Sequence, residues 1–531
     1  MNNFGYCNHC KEMVPVHRQE RGNRVYLVKD CKDCGTSETL ISGNARVYNK
    51  KRSLMSSALQ EGRGKKSCKI NCSACNAHKV PSMVFLDITN RCNMNCPICI
   101  NNTPSMGFTF DPPLNYFKKI FDHFGSLNPR PAIKLFGGEP TLREDLFEII
   151  NLAHDAGLRV AVITNGVRLA DPDYCKQFLD SGVSVRLSFD GHNRRLYTDL
   201  RNSPQSLDSK LKAIENIGRF GKEKVTLMTM VAKGFNDHEL PEFLDYCHSN
   251  SHTLGNICFM PLAHTWAKNR LSSTPERITS EDIESIIEQS VPGGKVEFLP
   301  AGILNHFPSL TKHLFKELPS FGGAHSNCES ITFLVSNGSQ FVSISNYINK
   351  SAFQVVENMK EKEATLAKRL GRLETGAVAG LLSGLGLKKP AERLMINASI
   401  AGLVLRNADF MSIFSSRGKF SAYFTSMKIL GRIMTGTHPF RAFGRYSKAG
   451  NIIQVMVLPF EDKTNMESER LKHCPTHFAY IDPATDKVRT SPLCSWPLFK
   501  NDIMSKIAAR YSSSKNNGNS ELKDNAALQN K

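Results

Sequence analysis

Between residues 83 and 290, short apolar runs alternate with segments whose apolar positions recur every three to four residues. The runs Met83–Ile88, Ala132–Phe136, Arg159–Ile163, Ser184–Phe189, Lys224–Val231 and Asn256–Pro261 read as strands. Between them, Tyr116, Phe117, Ile120, Phe121 and Phe124, then Leu146, Ile149, Ile150 and Ala153, keep the spacing of a helix buried along one face. This alternation predicts parallel strands joined by crossover helices. Six such units make an α/β fold, a partial (β/α)6 barrel. Chemistry in barrels sits at the carboxyl ends of the strands, so the residues that follow each run are the first candidates.

The flanks follow other rules. Residues 1–50 carry Cys7-Asn-His-Cys10 and Cys31-Lys-Asp-Cys34 around a strand-like Val25–Val28. Two C-x2-C pairs about twenty residues apart are a tetrahedral-metal ribbon, for zinc or a rubredoxin-like iron; His17, between them, reads as a surface residue. Residues 51–82 read as a polar, basic linker holding Cys68, Cys72 and Cys75, and 83–295 as the barrel. Cys328 falls in a region from 296 to 354, and Cys474 and Cys494 in one from 451 to 510. Residues 355–450 read as a helical insert. Over 361–450 there are 15 lysines and arginines against 5 acidic residues, interleaved with apolar runs too short to span a bilayer. Basic helices rich in Phe, Met and Leu predict contact with a membrane surface; the plainer reading is a helical subdomain with a basic outer face. From 511 to 531 the chain is rich in Ser, Asn and Lys and predicts disorder.

Composition adds little to the fold and more to the setting. The 531 residues, 40% hydrophobic and 22% charged, suit several globular units. A net charge of +19 points to an acidic partner surface. Aromatic stacking platforms are not obvious, so nucleic acid is not expected. The first ten residues have no apolar signal core, which predicts a cytoplasmic chain. Sixteen cysteines there argue for metal rather than disulfides. Cys175, Cys247 and Cys258 lie within helix or strand patterns and read as core.

The chemistry concentrates at the end of the first strand. Cys92, Cys96 and Cys99 form a C-x3-C-x2-C run delivered by Met83–Ile88. Three thiolates can ligate three irons of a [4Fe–4S] cluster and leave the fourth open. Cys68, Cys72 and Cys75 have the same spacing, but no strand feeds them, so they read as auxiliary ligands. Gly137-Gly138-Glu139-Pro140 follows the second strand, Thr164-Asn165-Gly166 the third and Ser188-Phe189-Asp190-Gly191 the fourth. The glycines let backbone approach a ligand closely, and the proline stiffens the exit.

This combination resembles the radical SAM superfamily and, within it, the tetraether lipid synthases that join lipid chains end to end, with their bacterial relatives. The carrying residues are the N-terminal C-x2-C pairs, Cys68 to Lys79, Asp87 to Cys99, Phe136 to Asp145, Ile163 to Leu169, Lys233 to Leu240 and the late cysteines. The resemblance is poor over 355–450. It implies a radical SAM barrel in which Cys92, Cys96 and Cys99 hold the cluster that binds S-adenosylmethionine. Gly137, Gly138, Glu139, Pro140, Asn165, Ser188 and Asp190 are then cofactor contacts, with Lys233 toward the adenine. It implies one or two auxiliary [4Fe–4S] clusters drawn from Cys68, Cys72, Cys75, Cys328, Cys474 and Cys494, and a single iron or zinc on Cys7, Cys10, Cys31 and Cys34. Six thiolates for two clusters leave open irons or call for a histidine, carboxylate or substrate ligand. The implied activity is reductive cleavage of S-adenosylmethionine, with the 5′-deoxyadenosyl radical used on unactivated C–H bonds of membrane lipid chains to form a C–C bond. The implied partners are a membrane lipid, an electron donor such as flavodoxin or ferredoxin, and the inner face of the cytoplasmic membrane. The competing expectations are modification of a peptide or other substrate and, as a minor one, a metal-ribbon protein that binds nucleic acid.

Overall fold

Uniformly apolar strands need cover on both faces, and the strand that feeds the cysteine run has it. In the computed structural model, all seven residues of β5 (Met83–Thr89) are buried. The structure describes residues 3–55, 68, 70, 81–265, 270–271, 274–293, 295–310, 322–375, 377–413, 419–437, 439–444 and 451–511. Cys72, Cys75, most of the expected linker and the tail from 512 lie outside the described residues.

The six expected strands form, each within two residues of its expected bounds. They are β5, β6 (Ala132–Gly137), β7 (Val160–Thr164), β8 (Ser184–Ser188), β9 (Val225–Val231) and β10 (Leu254–Pro261). They pair in chain order, all parallel. Helices such as Leu114–Gly125, Leu146–Asp155 and Ser206–Phe220 return the chain between them and bury Phe117, Ile120, Phe121, Ile149 and Ile150 in one large core. Cys175, Cys247 and Cys258 belong to that core, as expected.

The sheet then grows beyond the six units. β14 (Ile452–Val457) adds in parallel to β10, and β15 (Thr476–Ile481) adds in parallel to β5. β16 (Val488–Pro492) caps β15, while β12 (Ser330–Ser336), flanked by β11 (Leu299–Pro300) and β13 (Phe341–Ser343), caps β14; all of these pairings are antiparallel. The 451–510 region, read from sequence only as a carrier of cysteines, thus supplies both flanks of the barrel.

The N-terminal ribbon is a separate antiparallel sheet of β1 (Phe4–Tyr6), β2 (Met13–Arg21), β3 (Arg24–Cys31) and β4 (Gly35–Ser42). It is pinned to the C-terminal region by Arg18, whose guanidinium meets Glu467 and Glu469 at 2.6 Å each. The expected linker does not begin at 51. Helix Ala45–Leu54 runs through that point and buries Lys51, whose ammonium sits 3.0 Å from Glu281 and 2.6 Å from Glu284. A lysine in a basic stretch reads as solvated; here two carboxylates from helix Ser280–Ser290 draw it inside.

The insert is helical: Ala352–Glu374, Ala377–Gly384, Lys388–Asn407 and Lys419–Met434. It packs through Val356, Leu366, Ile400 and Ile429 into a second core that it shares with Leu54, Met55, Ile303, Phe307 and Leu310.

Candidate functional site

The loop after β5 is shaped by its own polar side chains. Asn90 accepts from the Phe110 N–H at 2.8 Å and donates to the Phe108 carbonyl, stapling the loop to the following segment. The Met94 N–H points at Cys92 Sγ (3.4 Å), the Cys99 N–H bonds the Cys96 carbonyl (3.3 Å), and Cys99 Sγ lies 3.5 Å from Thr103 Oγ1. Ile98 is buried beneath the run. Below it, Asp87 is enclosed and accepts from Asn101 Nδ2 (3.0 Å) and Trp496 Nε1 (2.8 Å). β5 and the C-terminal region therefore clamp the base of the cysteine loop together.

Cys92, Cys96 and Cys99 all border one cavity of about 190 Å³. Gly137, Gly138, Glu139, Asn165 and Ser188 border it too; Pro140 and Asp190 do not. Both glycines are required by backbone rather than by ligand. A Cβ on Gly137 would meet the Thr89 carbonyl at 2.2 Å, one on Gly138 the Arg91 carbonyl at 2.1 Å, and Gly137 has φ +127°. The Gly138 and Glu139 N–H groups bond the carbonyls of Thr89 (2.7 Å) and Arg91 (2.8 Å), so the turn is locked to the cysteine loop. Gly138→Ala is therefore expected to cost about 1–3 kcal/mol in denaturant unfolding and to weaken S-adenosylmethionine binding measured by calorimetry.

Glu139 is buried and accepts four hydrogen bonds, three of them on one oxygen. Oε1 accepts from the Thr141 N–H (3.1 Å), Thr141 Oγ1 (2.7 Å) and Thr164 Oγ1 (2.7 Å), and Oε2 from the Asn165 N–H (2.7 Å). It ties the ends of β6 and β7 together at the rim, while Pro140 opens the short turn Pro140–Leu142. Asn165 reaches Asn93 Oδ1 at 2.7 Å, joining the β7 turn to the cysteine loop. Asp190 stands behind the rim. It grips Arg201 at 2.6 and 2.8 Å and accepts from the Met230 N–H (3.0 Å). Burial alone would raise its carboxyl; Arg201 overcomes this and holds it below the usual range. Lys233 pairs with Glu276 at 2.6 Å, away from the cavity.

Two cations at the site escaped the sequence reading. Arg201 borders the cavity; burial raises the Cys96 thiol, and Arg201 works against that rise. Lys210, buried, donates to the Asn165 and Ser188 carbonyls at 2.6 Å each, and burial brings its ammonium down to about 8. Arg201 comes from the turn after helix Arg194–Asp199 and Lys210 from helix Ser206–Phe220, both unremarkable stretches of a basic chain. The one available signal was Asp190, a carboxylate at a strand end that needs a counter-charge.

Most of the remaining wall is apolar, with Asn101, Thr103, Thr164 and Thr265 as its polar members. Phe85, Phe136, Met228, Met230, Met260 and Phe478 line it. Cys494 and Glu461 complete its wall on the C-terminal side.

Beyond that wall lies a second group. Cys328, Cys474 and Cys494 sit within electrostatic reach of one another and of Glu461; burial raises all three thiols, Cys474 to about 12. Cys68 and Cys494 pack against one small cluster of Ile70, Met466 and Leu471. The surroundings differ from those of a core cysteine. Buried Glu461 Oε1 and Oε2, Arg470 Nε and Asn327 Nδ2 have no hydrogen-bond partner, and Arg470 Nε stands 3.7 Å from Glu461. Buried polar atoms are nearly always satisfied, so several orphans around three thiols fit a missing charged group.

The four ribbon thiols lie within 4.8 Å of one another, spacing for a single tetrahedral ion. His17 is exposed and faces Asp30 at 3.3 Å, as expected of a surface residue. Among the described residues, Cys92, Cys96 and Cys99 do not converge this tightly.

Comparison with known proteins agrees with this geometry. Residues 5–43 match the HMPTM N-terminal zinc ribbon domain. Over 372 residues the chain is 29% identical to the 7,8-dihydro-6-hydroxymethylpterin dimethyltransferase of Methanocaldococcus jannaschii, covering 68% of this chain and 73% of that one. It is 28% identical over 274 residues to the Fe-coproporphyrin III synthase of Methanosarcina barkeri, covering 50% of this chain and 66% of that one. It is 32% identical over 167 residues to the GTP 3′,8-cyclase of Tolumonas auensis, covering 30% and 47%. The crystal structure of Streptococcus suis SuiB bound to S-adenosylmethionine aligns at TM-score 0.33 and 12% identity, over 52% of this chain and 68% of that one. These names concern pterin, porphyrin, GTP and S-adenosylmethionine; lipid coupling is in none of them. Residues 86–247, which carry the cysteine loop and the rim of the cavity, match the radical SAM superfamily, so the chain carries a radical SAM domain, with Cys92, Cys96 and Cys99 placed where the [4Fe–4S] cluster and S-adenosylmethionine of that superfamily would be held.

Proposed function

We propose that this enzyme directs the 5′-deoxyadenosyl radical at unactivated C–H bonds of membrane lipid chains and joins two chains by a C–C bond. The observation that carries this reading is the lining of the cavity beside Cys92, Cys96 and Cys99, where apolar side chains outnumber polar ones. An alkyl chain fits such a wall without leaving polar groups unpaired, whereas a phosphorylated or heterocyclic substrate asks for several fixed donors. The bound cluster supplies the electron that cleaves S-adenosylmethionine. The chemistry balances as two substrate C–H bonds, two S-adenosylmethionine and two electrons giving one C–C bond, two methionine and two 5′-deoxyadenosine. Flavodoxin or ferredoxin is the electron source in this reading, and Cys328, Cys474, Cys494 and Cys68 are the ligands of auxiliary iron.

A membrane surface agrees with the insert. No helix among the described residues is long and apolar enough to cross a bilayer. Yet nine of the ten large hydrophobic side chains exposed among the described residues lie between 381 and 427, with Leu381, Tyr423 and Phe424 each more than 60% exposed. Tyr423 and Met427 are one helical turn apart, as are Leu381 and Leu385. Set in a segment with net charge +10, these stripes suit the headgroup region of an anionic bilayer.

The second reading is methylation of a pterin, favoured by the 29% identity over 372 residues to the pterin dimethyltransferase. One experiment separates the two. Iron-loaded protein under anaerobic conditions receives S-adenosylmethionine, a reductant and either lipid vesicles or 6-hydroxymethylpterin. Vesicle-dependent 5′-deoxyadenosine, sedimentation with anionic but not neutral vesicles, and lipid lighter by about two hydrogens per bond support the first. Unchanged lipid with methylated pterin overturns it.

A further inference from the structure

We propose that Glu461 is the oxygen ligand that completes the iron group of Cys328, Cys474 and Cys494, on the side facing the substrate cavity. The proposal rests on the reading of those cysteines as auxiliary-cluster ligands and adds to it the identity of the missing donor.

Glu461 is buried, and neither carboxylate oxygen has a hydrogen-bond partner. Its backbone N–H lies 3.5 Å from Cys494 Sγ, which holds the residue at that thiol's shoulder. It borders both cavities, the one beside Cys92, Cys96 and Cys99 and the one that reaches Cys328. Arg470 pairs with it only loosely: its Nε stands 3.7 Å from Oε1 and makes no hydrogen bond. A buried carboxylate held by one distant cation keeps much of its desolvation cost, and bonding to iron removes that cost. Arg470 then has a clear purpose as the buried cation that offsets an anionic cluster.

The choice of oxygen has a functional sense. Thiolates suit iron–sulfur clusters better than carboxylates do. A cluster held by three thiolates and one carboxylate therefore has one exchangeable corner. Glu461 places that corner at the wall of the substrate cavity, where a substrate atom can displace it while Cys328, Cys474 and Cys494 keep the cluster in place.

The test uses full-length protein carrying Cys92→Ala, Cys96→Ala and Cys99→Ala, which silences the first cluster's signals. Iron content and electron paramagnetic resonance spectra are compared for this background and for the same chain with Glu461→Gln or Glu461→Cys. Glu461→Gln is expected to lose about one iron in four from the affected cluster and to change its spectrum, and Glu461→Cys to restore the iron with a new, all-thiolate spectrum. Wild-type-like iron and spectra in Glu461→Gln overturn the proposal. So does a loss produced by Cys68→Ala and not by Glu461→Gln, which names Cys68 as the donor. A Cys328→Ala/Cys474→Ala/Cys494→Ala chain that keeps all of this iron sinks the cluster reading itself, a distinct result. Circular dichroism identifies a variant that has merely unfolded, and Glu461→Asp then decides: a shifted spectrum at full iron supports ligation, an unchanged one refutes it.

Discussion

Cys96→Ala is expected to abolish reductive cleavage of S-adenosylmethionine and to leave the protein about four irons short. Cys92, Cys96 and Cys99 are the thiols of the cysteine loop that share the main cavity. Removing one leaves a cluster with two protein bonds at the mouth of an open site. Second-shell changes alone typically cost 10–100-fold, so 5′-deoxyadenosine formation should fall by at least about 100-fold. Cys175→Ala is the matched control: that thiol lies in the main core, and the variant should keep its iron and lose only stability. Iron retained in full by Cys96→Ala would contradict the assignment.

Lys51→Ala is expected to destabilise the chain by about 3–5 kcal/mol, because it strands two buried carboxylates that share one cation. Glu281 and Glu284 both face Lys51 from one helix, and Ser330 also donates to Glu284. Burial already pushes Glu284 up to about 7, with Lys51 working against the rise. A carboxyl raised above its unfolded value contributes stability at low pH that is lost as pH climbs through its folded value. Without Lys51 that folded value moves higher still. The penalty measured by urea unfolding should therefore be larger at pH 8 than at pH 5.5. A penalty independent of pH would mean that the two carboxylates are not what the lysine balances.

The barrel was legible in the sequence because each of its strands is short, apolar and ended by a turn signal. Met83–Ile88 and Ala132–Phe136 each fall one residue short of the observed strand. Cys92, Cys96 and Cys99 were legible because their spacing and the strand before them are local features. What the sequence concealed is non-local. Ile452–Val457 and Thr476–Ile481 look like ordinary strands, and nothing in them says that one pairs with β10 and the other with β5. Gly137 and Gly138 were read as room for a ligand, whereas the atoms nearest to them belong to the Thr89 and Arg91 backbone. Arg201, Lys210 and Lys51 were hidden by composition: among 68 lysines and arginines, three buried ones carry no mark. Glu461 shows the same limit in an acidic residue, since its meaning lies in thiols that the sequence scatters over Cys328, Cys474 and Cys494.

The pairing of β14 with β10 and of β15 with β5 sets an order of events during synthesis. After residue 261 emerges from the ribosome, the six central strands can pair, yet both outer edges stay bare until the chain has grown by roughly two hundred residues more. Bare edges recruit foreign strands, so the nascent protein passes through a long interval of exposure that the finished one never shows. Cys474 and Cys494 arrive in the same late segment that closes those edges. In the reading proposed above, iron on Cys328, Cys474 and Cys494 is enclosed only as the last strands dock, so cluster assembly and completion of the sheet coincide in one terminal step.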